Sequence, residues 1–311
     1  MSIFDKFRLL LNSAGENSKL LDDQNTAHIA VDGQVLLSKQ TIPGIKIEVE
    51  QHPDLTIAEI TVTSYTQVTN PVHLCFSMMQ QIGRQNFRVH IILEPYANVS
   101  FISHGLFTTV DTAKHIMDKT IEISEGASLS FTDSHFHSQS GGIKVLSSAK
   151  IKVAKHGTYF SDFSLTKGHV GKLYLDYSVE AEEHAVVELT SRVFGHAKDE
   201  IKISEKVSLI GRFSHSVIKS RVALEGEAKA VITGITEGCA EGARGHMDCL
   251  EIIKDKAEGQ SIPVVKVSHP LAKITHEAAI GTIENKQLET LIVHGLSPEQ
   301  ATDLIVLGIL R

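Results

Sequence analysis

The sequence predicts a mainly β protein whose core is a parallel β-helix, a β-solenoid with helices at its two ends. Three observations carry this. From about Phe87 to Val267 short runs of alternating apolar and polar residues follow one another, the period of strands with one buried face. The turns between these runs recur at roughly 26 to 31 residues, the signature of a stacked repeat. Hairpin signals are missing: the chain has no Asn-Gly, and its one Asp-Gly, Asp32-Gly33, lies before the repeats.

The elements follow in order. Ile3, Phe4, Phe7, Leu10 and Leu11 make one apolar helical stripe, ended by Asn12-Ser-Ala-Gly. Ile45, Ile47 and Val49 alternate as a strand, and Ile57, Ile60 and Val62 follow. Val89, Ile91 and Leu93 then open the repeat, with a turn at Glu94-Pro-Tyr-Ala before Val99 and Phe101. Ile121 and Ile123, Ile151 and Val153, Tyr177 and Val179, Val207 and Leu209, and Val222 and Leu224 mark the later strands. A sandwich is disfavoured because the β region far exceeds the roughly 100 residues that such a domain uses. A propeller is disfavoured because the chain has no Trp to supply blade signatures. Near the end, Leu288, Leu291 and Ile292 share a helical face within Glu284 to Val293. Ser297-Pro-Glu-Gln then opens a second helix, with Ser297 as cap, Pro298 at the first position and Gln300 completing a capping box. The organisation expected is a helical or mixed segment over 1–45, a β-helix core over 46–270 and a helical segment over 271–311.

Composition narrows the function. The 311 residues are 42% hydrophobic and 22% charged, which suits a folded soluble chain. A formal net charge of −7 argues against nucleic acid as a partner. No apolar run approaches the roughly 20 residues that span a bilayer, so no membrane is expected. The start of the chain, with Asp5 inside it, does not read as a signal peptide. Only three cysteines, Cys75, Cys239 and Cys249, point to a reducing compartment and a cytoplasmic location. The 17 histidines are expected to sit mostly on the surface.

Nucleotide chemistry has no support. Gly168-His-Val-Gly-Lys-Leu is the nearest approach to a P-loop and lacks its spacing and hydroxyl. Gly-x-Ser-x-Gly is absent, and the zincin pattern fails after His276-Glu277 because position 280 is Ile. No catalytic residues are assigned, and the chain is expected not to be an enzyme. What remains is a polar cluster in the last third. Gly242-Ala-Arg-Gly-His-Met-Asp-Cys carries His246, Asp248 and Cys249, and His276 and Glu277 come shortly after. Cys, His and carboxylate together suit iron or zinc. Strand alternation puts His246 and Asp248 on one face and Cys249 on the other. The plainer alternative is that Cys249 packs as a small hydrophobe and the histidines bond locally.

The run Ile274-Thr-His-Glu-Ala-Ala-Ile-Gly, with Gln287-Leu, Gly295-Leu-Ser and Ala301-x-x-Leu-Ile-Val-x-Gly, resembles the carboxy-terminal signature of the SufB/SufD family, in its short archaeal and bacterial form. Gly242-Ala-Arg-Gly-His-Met-Asp-Cys and Gly141-Gly142 to Gly171-Lys172 extend the resemblance through the body of the chain. The resemblance implies a right-handed β-helix, a scaffold role in iron–sulfur cluster assembly, a SufC-type ABC ATPase as partner and a second SufB/SufD-type subunit as homodimer or heterodimer mate. It implies a transient iron–sulfur cluster and no nucleotide on this chain. His276 and Glu277 fall where the family carries proposed cluster ligands, with Cys249 beside them. The position matching the family's sulfur-accepting cysteine is Asp248, with Cys249 one residue later; a bulge would bring the thiol back to that face. The long amino-terminal helical domain of full-length SufB has no counterpart here, so a sulfur-donor dock is not expected. Leu288, Leu291, Ile292, Leu304 and Ile305 are the candidate ATPase-docking residues. The alternatives are a purely structural SufD-like subunit without a cluster, and a metal-dependent enzyme on a β-helix, for which paired carboxylates would be needed.

Overall fold

In the computed structural model, which describes residues 2–310, alternate strands of the chain stack into two sheets, giving a β-solenoid of about eight turns. The apolar stripe at the start folds as α1 (Ile3–Ser13), capped reciprocally by Ser2 and Asp5. A short 3-10 segment follows at Ser18–Leu21. One sheet then takes β1 (His28–Asp32), β2 (Val35–Gln40), β5 (Val72–Ser77), β7 (Asn98–Phe107), β9 (Ser128–His137), β11 (Thr158–Lys167), β13 (Val186–Gly195), β15 (His215–Leu224), β17 (Arg244–Ile253) and β19 (Lys273–Gly281). The other takes β3 (Ile45–His52), β4 (Leu55–Val62), β6 (Ile82–Leu93), β8 (Thr112–Ile123), β10 (Ile143–Val153), β12 (Lys172–Ala181), β14 (Glu200–Leu209), β16 (Lys229–Gly238) and β18 (Glu258–Val267). Helices α2 (Asn285–Val293) and α3 (Pro298–Ile309) end the chain.

From β4 and β5 onward the pairing is parallel, and each residue sits beside its equivalent one coil later. Thr56 pairs with Phe87, 31 residues on, and Lys144 with Lys172, 28 residues on. This keeps like residues in columns. Ile60, Ile91, Ile121, Ile151, Val179 and Val207 form one continuous inward ladder, all buried in the single large core. Fully burying one such side chain contributes about 1.5–3 kcal/mol. The corners repeat too. Tyr65, Tyr96, Gly126, His156, His184, Phe213 and Gly242 all adopt positive φ. Their rings stack, with Tyr65 on Tyr96 at 5.2 Å and His156 on His184 at 4.9 Å. Gly126 leaves room for the stack: a Cβ there would lie 2.6 Å from the Tyr96 ring.

The stack is longer than the 46–270 expected from the sequence, running from His28 to Gly281. At its start two antiparallel hairpins replace regular coils. Gly33-Gln34 joins β1 to β2, with Asp32 facing Val35, and Pro53-Asp54 joins β3 to β4. These hairpins close the amino-terminal end, with Ile45 and Ile47 buried beneath them. Six of the 17 histidines depart from the surface expectation, His28, His73, His104, His115, His135 and His137 being buried, while the other eleven are exposed or half-buried.

The interior is not wholly apolar. Lys119 and Asp133 form a buried ion pair at 3.1 Å, and Lys119 also donates to the Tyr177 hydroxyl at 3.1 Å. Burial works against both charges, but each holds the other ionised, so Asp133 stays well below the usual carboxylate range and Lys119 is raised. Glu205 has no such partner. Burial pushes its carboxyl up to about 8, opposed only by Ser191. It is therefore protonated in the folded chain at neutral pH and ionised in the unfolded one. Its contribution to stability is complete below the ordinary value of 4.5 and is lost as pH rises toward 8. In Glu205→Gln the thermal midpoint should fall less between pH 5 and pH 8 than in the parent, and should be higher at pH 8. Parallel slopes in the two proteins would contradict the burial of an uncharged Glu205.

Candidate functional site

The last coil of the solenoid carries the polar cluster. β17 pairs with β15 and β19 without interruption, Asp248 beside Glu277 and Cys249 beside Ala278. There is no bulge, so alternation decides where each side chain points. Gly245, Met247, Cys249 and Glu251 face the interior, and His246, Asp248 and Leu250 face out. His276 pairs with Met247 and so shares the inward face with Cys249, while Glu277 shares the outward face with Asp248. Cys249 and His276 are diagonal neighbours, roughly 8 Å apart at Cα from the strand spacing and rise. The five candidate ligands are thus divided between two faces of one sheet, and one chain does not bring them around a single point. His246 bonds Thr275 at 2.9 Å, and Asp248 is ion-paired with Arg221.

Cys249 is buried, whereas His276 and Glu277 are exposed. Burial pushes the Cys249 thiol up; its bond to Ser220 opposes this, and the carboxylates of Glu251, Glu205 and Asp248 add to the rise. The thiol ends a polar column that the sequence reading missed. Along one sheet Asp133, Phe163, Ser191, Ser220 and Cys249 occupy one inward column. Along the facing sheet Lys119, Ala149, Tyr177 and Glu205 occupy another. The available signal was the repeated appearance of Ser or Glu at positions where alternation calls for an apolar residue. Glu251 adds a second buried carboxyl at this end, neither of its oxygens hydrogen-bonded, with its pKa raised by burial.

The coil itself is unfinished. β18 and β19 are edges of their sheets, and no further strand among the described residues covers them. Val264, Val265, Val267, Leu271 and Ile280 are exposed there, in contrast to the buried ladder behind them.

Residues 76–309 match the family described as SUF system FeS cluster assembly, SufBD core domain. The chain belongs to the SufBD family. Among its relatives are iron–sulfur cluster assembly SufBD family proteins of Methanocaldococcus jannaschii, 36% identical over 91% of this chain and 89% of that one, and of Pyrococcus horikoshii, 32% identical over 91% and 86%. The Bacillus subtilis iron–sulfur cluster assembly protein SufB is 23% identical over 81% of this chain, which spans 54% of that protein's length. SufBD membership implies a role in iron–sulfur cluster assembly, and members of the family are assembly components rather than known catalysts. No helix among the described residues is long and apolar enough to cross a membrane.

Beyond the open coil, α2 and α3 form a hairpin. α3 has the expected Ser297–Gln300 capping box with Pro298 in its first turn. It rests on the outer face of the solenoid through Val306 and Leu310, which pack against Ala223 with Phe194 and Ile283 at the margin. Leu310 is therefore turned toward the solenoid and buried. Of the candidate docking residues, Ile292 and Leu304 are exposed and Leu288, Leu291 and Ile305 are half-buried. Val293, 83% exposed, and Leu307 belong to the same surface.

A measurable consequence concerns the thiols. Cys75 and Cys249 are buried and Cys239 is half-buried. Alkylation of the native chain at neutral pH, followed by mass spectrometry, should label Cys239 first and Cys249 much more slowly, with Cys249 labelling accelerating as the pH is raised above the ordinary thiol value. Labelling of Cys249 as fast as Cys239 would contradict its burial.

Proposed function

We propose that this SufBD protein is a scaffold subunit of a SUF-type complex. The observation that carries the reading is the unfinished last coil, which leaves His276 exposed beside the Cys249 end of the interior polar column. Two strand edges with exposed valines and isoleucine are a template for pairing with another chain. A second SufB/SufD-type subunit joined there would cover the apolar groups and bring a second set of ligands to the same opening. Cys249 and His276 from the inward face, with Glu277 at the rim, are the residues proposed to take a nascent iron–sulfur cluster as cargo, and the paired subunits could share it. His246 and Asp248, engaged with Thr275 and Arg221, would be left to position the strand.

The α2–α3 hairpin is proposed as the docking surface for a SufC-type ABC ATPase. Its exposed Ile292, Val293, Leu304 and Leu307 form an apolar patch on a rigid helical pair. The proximity of this hairpin to β19, which it follows directly in the chain, would let movement of a bound ATPase act on the open coil.

The burial of Cys249 and its raised thiol favour a second reading, a structural SufD-like subunit that pairs in the same way but holds no cluster. Anaerobic co-purification with the ATPase, then reconstitution with iron and sulfide, separates the two. The scaffold reading expects cluster absorbance with matching iron and sulfide, reduced by more than half in His276→Ala with unchanged circular dichroism. The structural reading expects a complex with neither. In the same pull-down, truncation after Gly281 or Leu304→Asp should abolish ATPase binding while the solenoid stays folded. Retained binding in both would exclude the hairpin as the dock.

A further inference from the structure

The buried histidines at the amino-terminal end are not used by the assembly reading, and three groups there stand together. Cys75 on β5 is in register with His104 on β7, and His73 is two residues back on the same outward face. Outward residues of a solenoid normally meet water. Here α1 and the 3-10 segment lie over them: Phe7, Leu10, Leu11 and Leu21 pack with Cys75 and Leu106. The result is a buried compartment holding two imidazoles and a thiol. Their ligand atoms all lie within 4.8 Å of one another, the one such trio of His, Cys or carboxylate groups among the described residues. The His73 and His104 rings stack at 5.7 Å.

These groups lack partners. His73 Nδ1 and both ring nitrogens of His104 are buried without a hydrogen bond. A buried polar atom is normally satisfied, and one left unpaired carries its full desolvation penalty. Glu16 reaches the same spot, with a carboxylate oxygen 3.7 Å from His104 Nδ1. It follows Gly15 just past the end of α1, where Gly15 takes a φ of +92°. Burial raises Glu16, and burial, with a smaller contribution from Glu16, raises Cys75. Burial also pushes His73 and His104 down to about 4, which leaves both rings neutral and able to donate a lone pair.

We propose that His73, Cys75, His104 and Glu16 form a structural site for a borderline divalent cation of the zinc class, which pins the amino-terminal helix to the solenoid. Two neutral imidazoles, a thiolate and a carboxylate balance a 2+ ion, so the filled site carries no net charge in its apolar surroundings. Four ligands of these types suit a closed tetrahedral site. On binding, the Cys75 proton leaves to solvent as the metal–sulfur bond forms, and the ring nitrogens gain the partner they lack. The site lies at the opposite end of the solenoid from Cys249 and His276, and stands whether or not those residues take a cluster.

Cobalt(II) is the probe. The full-length chain, treated with chelator, is titrated anaerobically with Co2+. One equivalent should give d–d bands of tetrahedral intensity and a thiolate-to-cobalt charge-transfer band, both removed by added Zn2+. The spectrum should persist in the Cys239→Ser/Cys249→Ser double variant and lose its charge-transfer band in Cys75→Ser. Glu16→Gln, at the lip of the compartment, should keep the circular dichroism of the parent and weaken cobalt binding at least tenfold. Zn2+ should raise the thermal midpoint of the parent more than that of Glu16→Gln, a readout that decides the matter even where Cys75→Ser does not fold. No charge-transfer band, a band lost in the double variant, or equal binding by Glu16→Gln and the parent would overturn the site.

Discussion

The in-register stacking of coils is the constraint on which the rest of the structure depends. With 28 to 31 residues per coil in the parallel region, every residue has its equivalent as neighbour on each side. A column therefore tends to keep one character, interrupted at single positions such as Phe163 and Ala149. The isoleucine and valine ladder is one outcome, the ring stack at the Tyr65–Phe213 corner is another, and the polar column leading to Cys249 is a third. An isolated Ser or Glu inside such a core would be costly; placed in adjoining columns, Lys119, Asp133, Tyr177, Ser191 and Ser220 have polar neighbours within one or two coils.

The two ends solve the problem of an unpaired coil differently. At the amino-terminal end, antiparallel hairpins close the stack and α1 seals its flank. At the other end the strands stop with their edges and an apolar inward face uncovered, while the helices that follow lie on the outer flank. A solenoid that had only to be stable would cap this end with a polar strand or a helix. The contrast is the packing argument for the proposed pairing surface, and it holds before any particular residue is considered.

The repeat, the alternation and the terminal helical hairpin were legible in the sequence because each rests on local chemistry: period two, a turn every coil, and a capping box at Ser297. The beginning of the stack was not. β1 and β2 are short and their alternation is weak, and only the pairing of β1 with β5 makes this hairpin part of the sheet. The buried His73–Cys75–His104 group was illegible for a similar reason. On the outward face of a strand those residues read as solvent-facing, and their burial comes from a helix some sixty residues earlier in the chain. For the carboxy-terminal cluster the residue types were readable and the faces partly so. Alternation separated Cys249 from His246 and Asp248, but the register that sets His276 on the side of Cys249 and Glu277 on the side of Asp248 is a property of the fold.

That register limits what one chain can do alone. An ion coordinated by Cys249 and His276 has only the inward face of the last coil to draw on, where Met247, Ala278 and Ile280 supply no strong donors and Glu251 lies one step further along the strand. Glu277, on the other face, reaches the same space only around the free edge of β19. On the proposed reading the remaining ligands would come from beyond that edge. In a closed solenoid the next coil would fill this space with another inward row of apolar side chains. Here the coil is missing, and the groups that could complete a coordination sphere must arrive with whatever covers the edge. On the proposed reading, the same open edge that exposes the apolar residues would also set the chemistry: pairing and ligation would draw on one surface, and neither would be complete in the isolated chain.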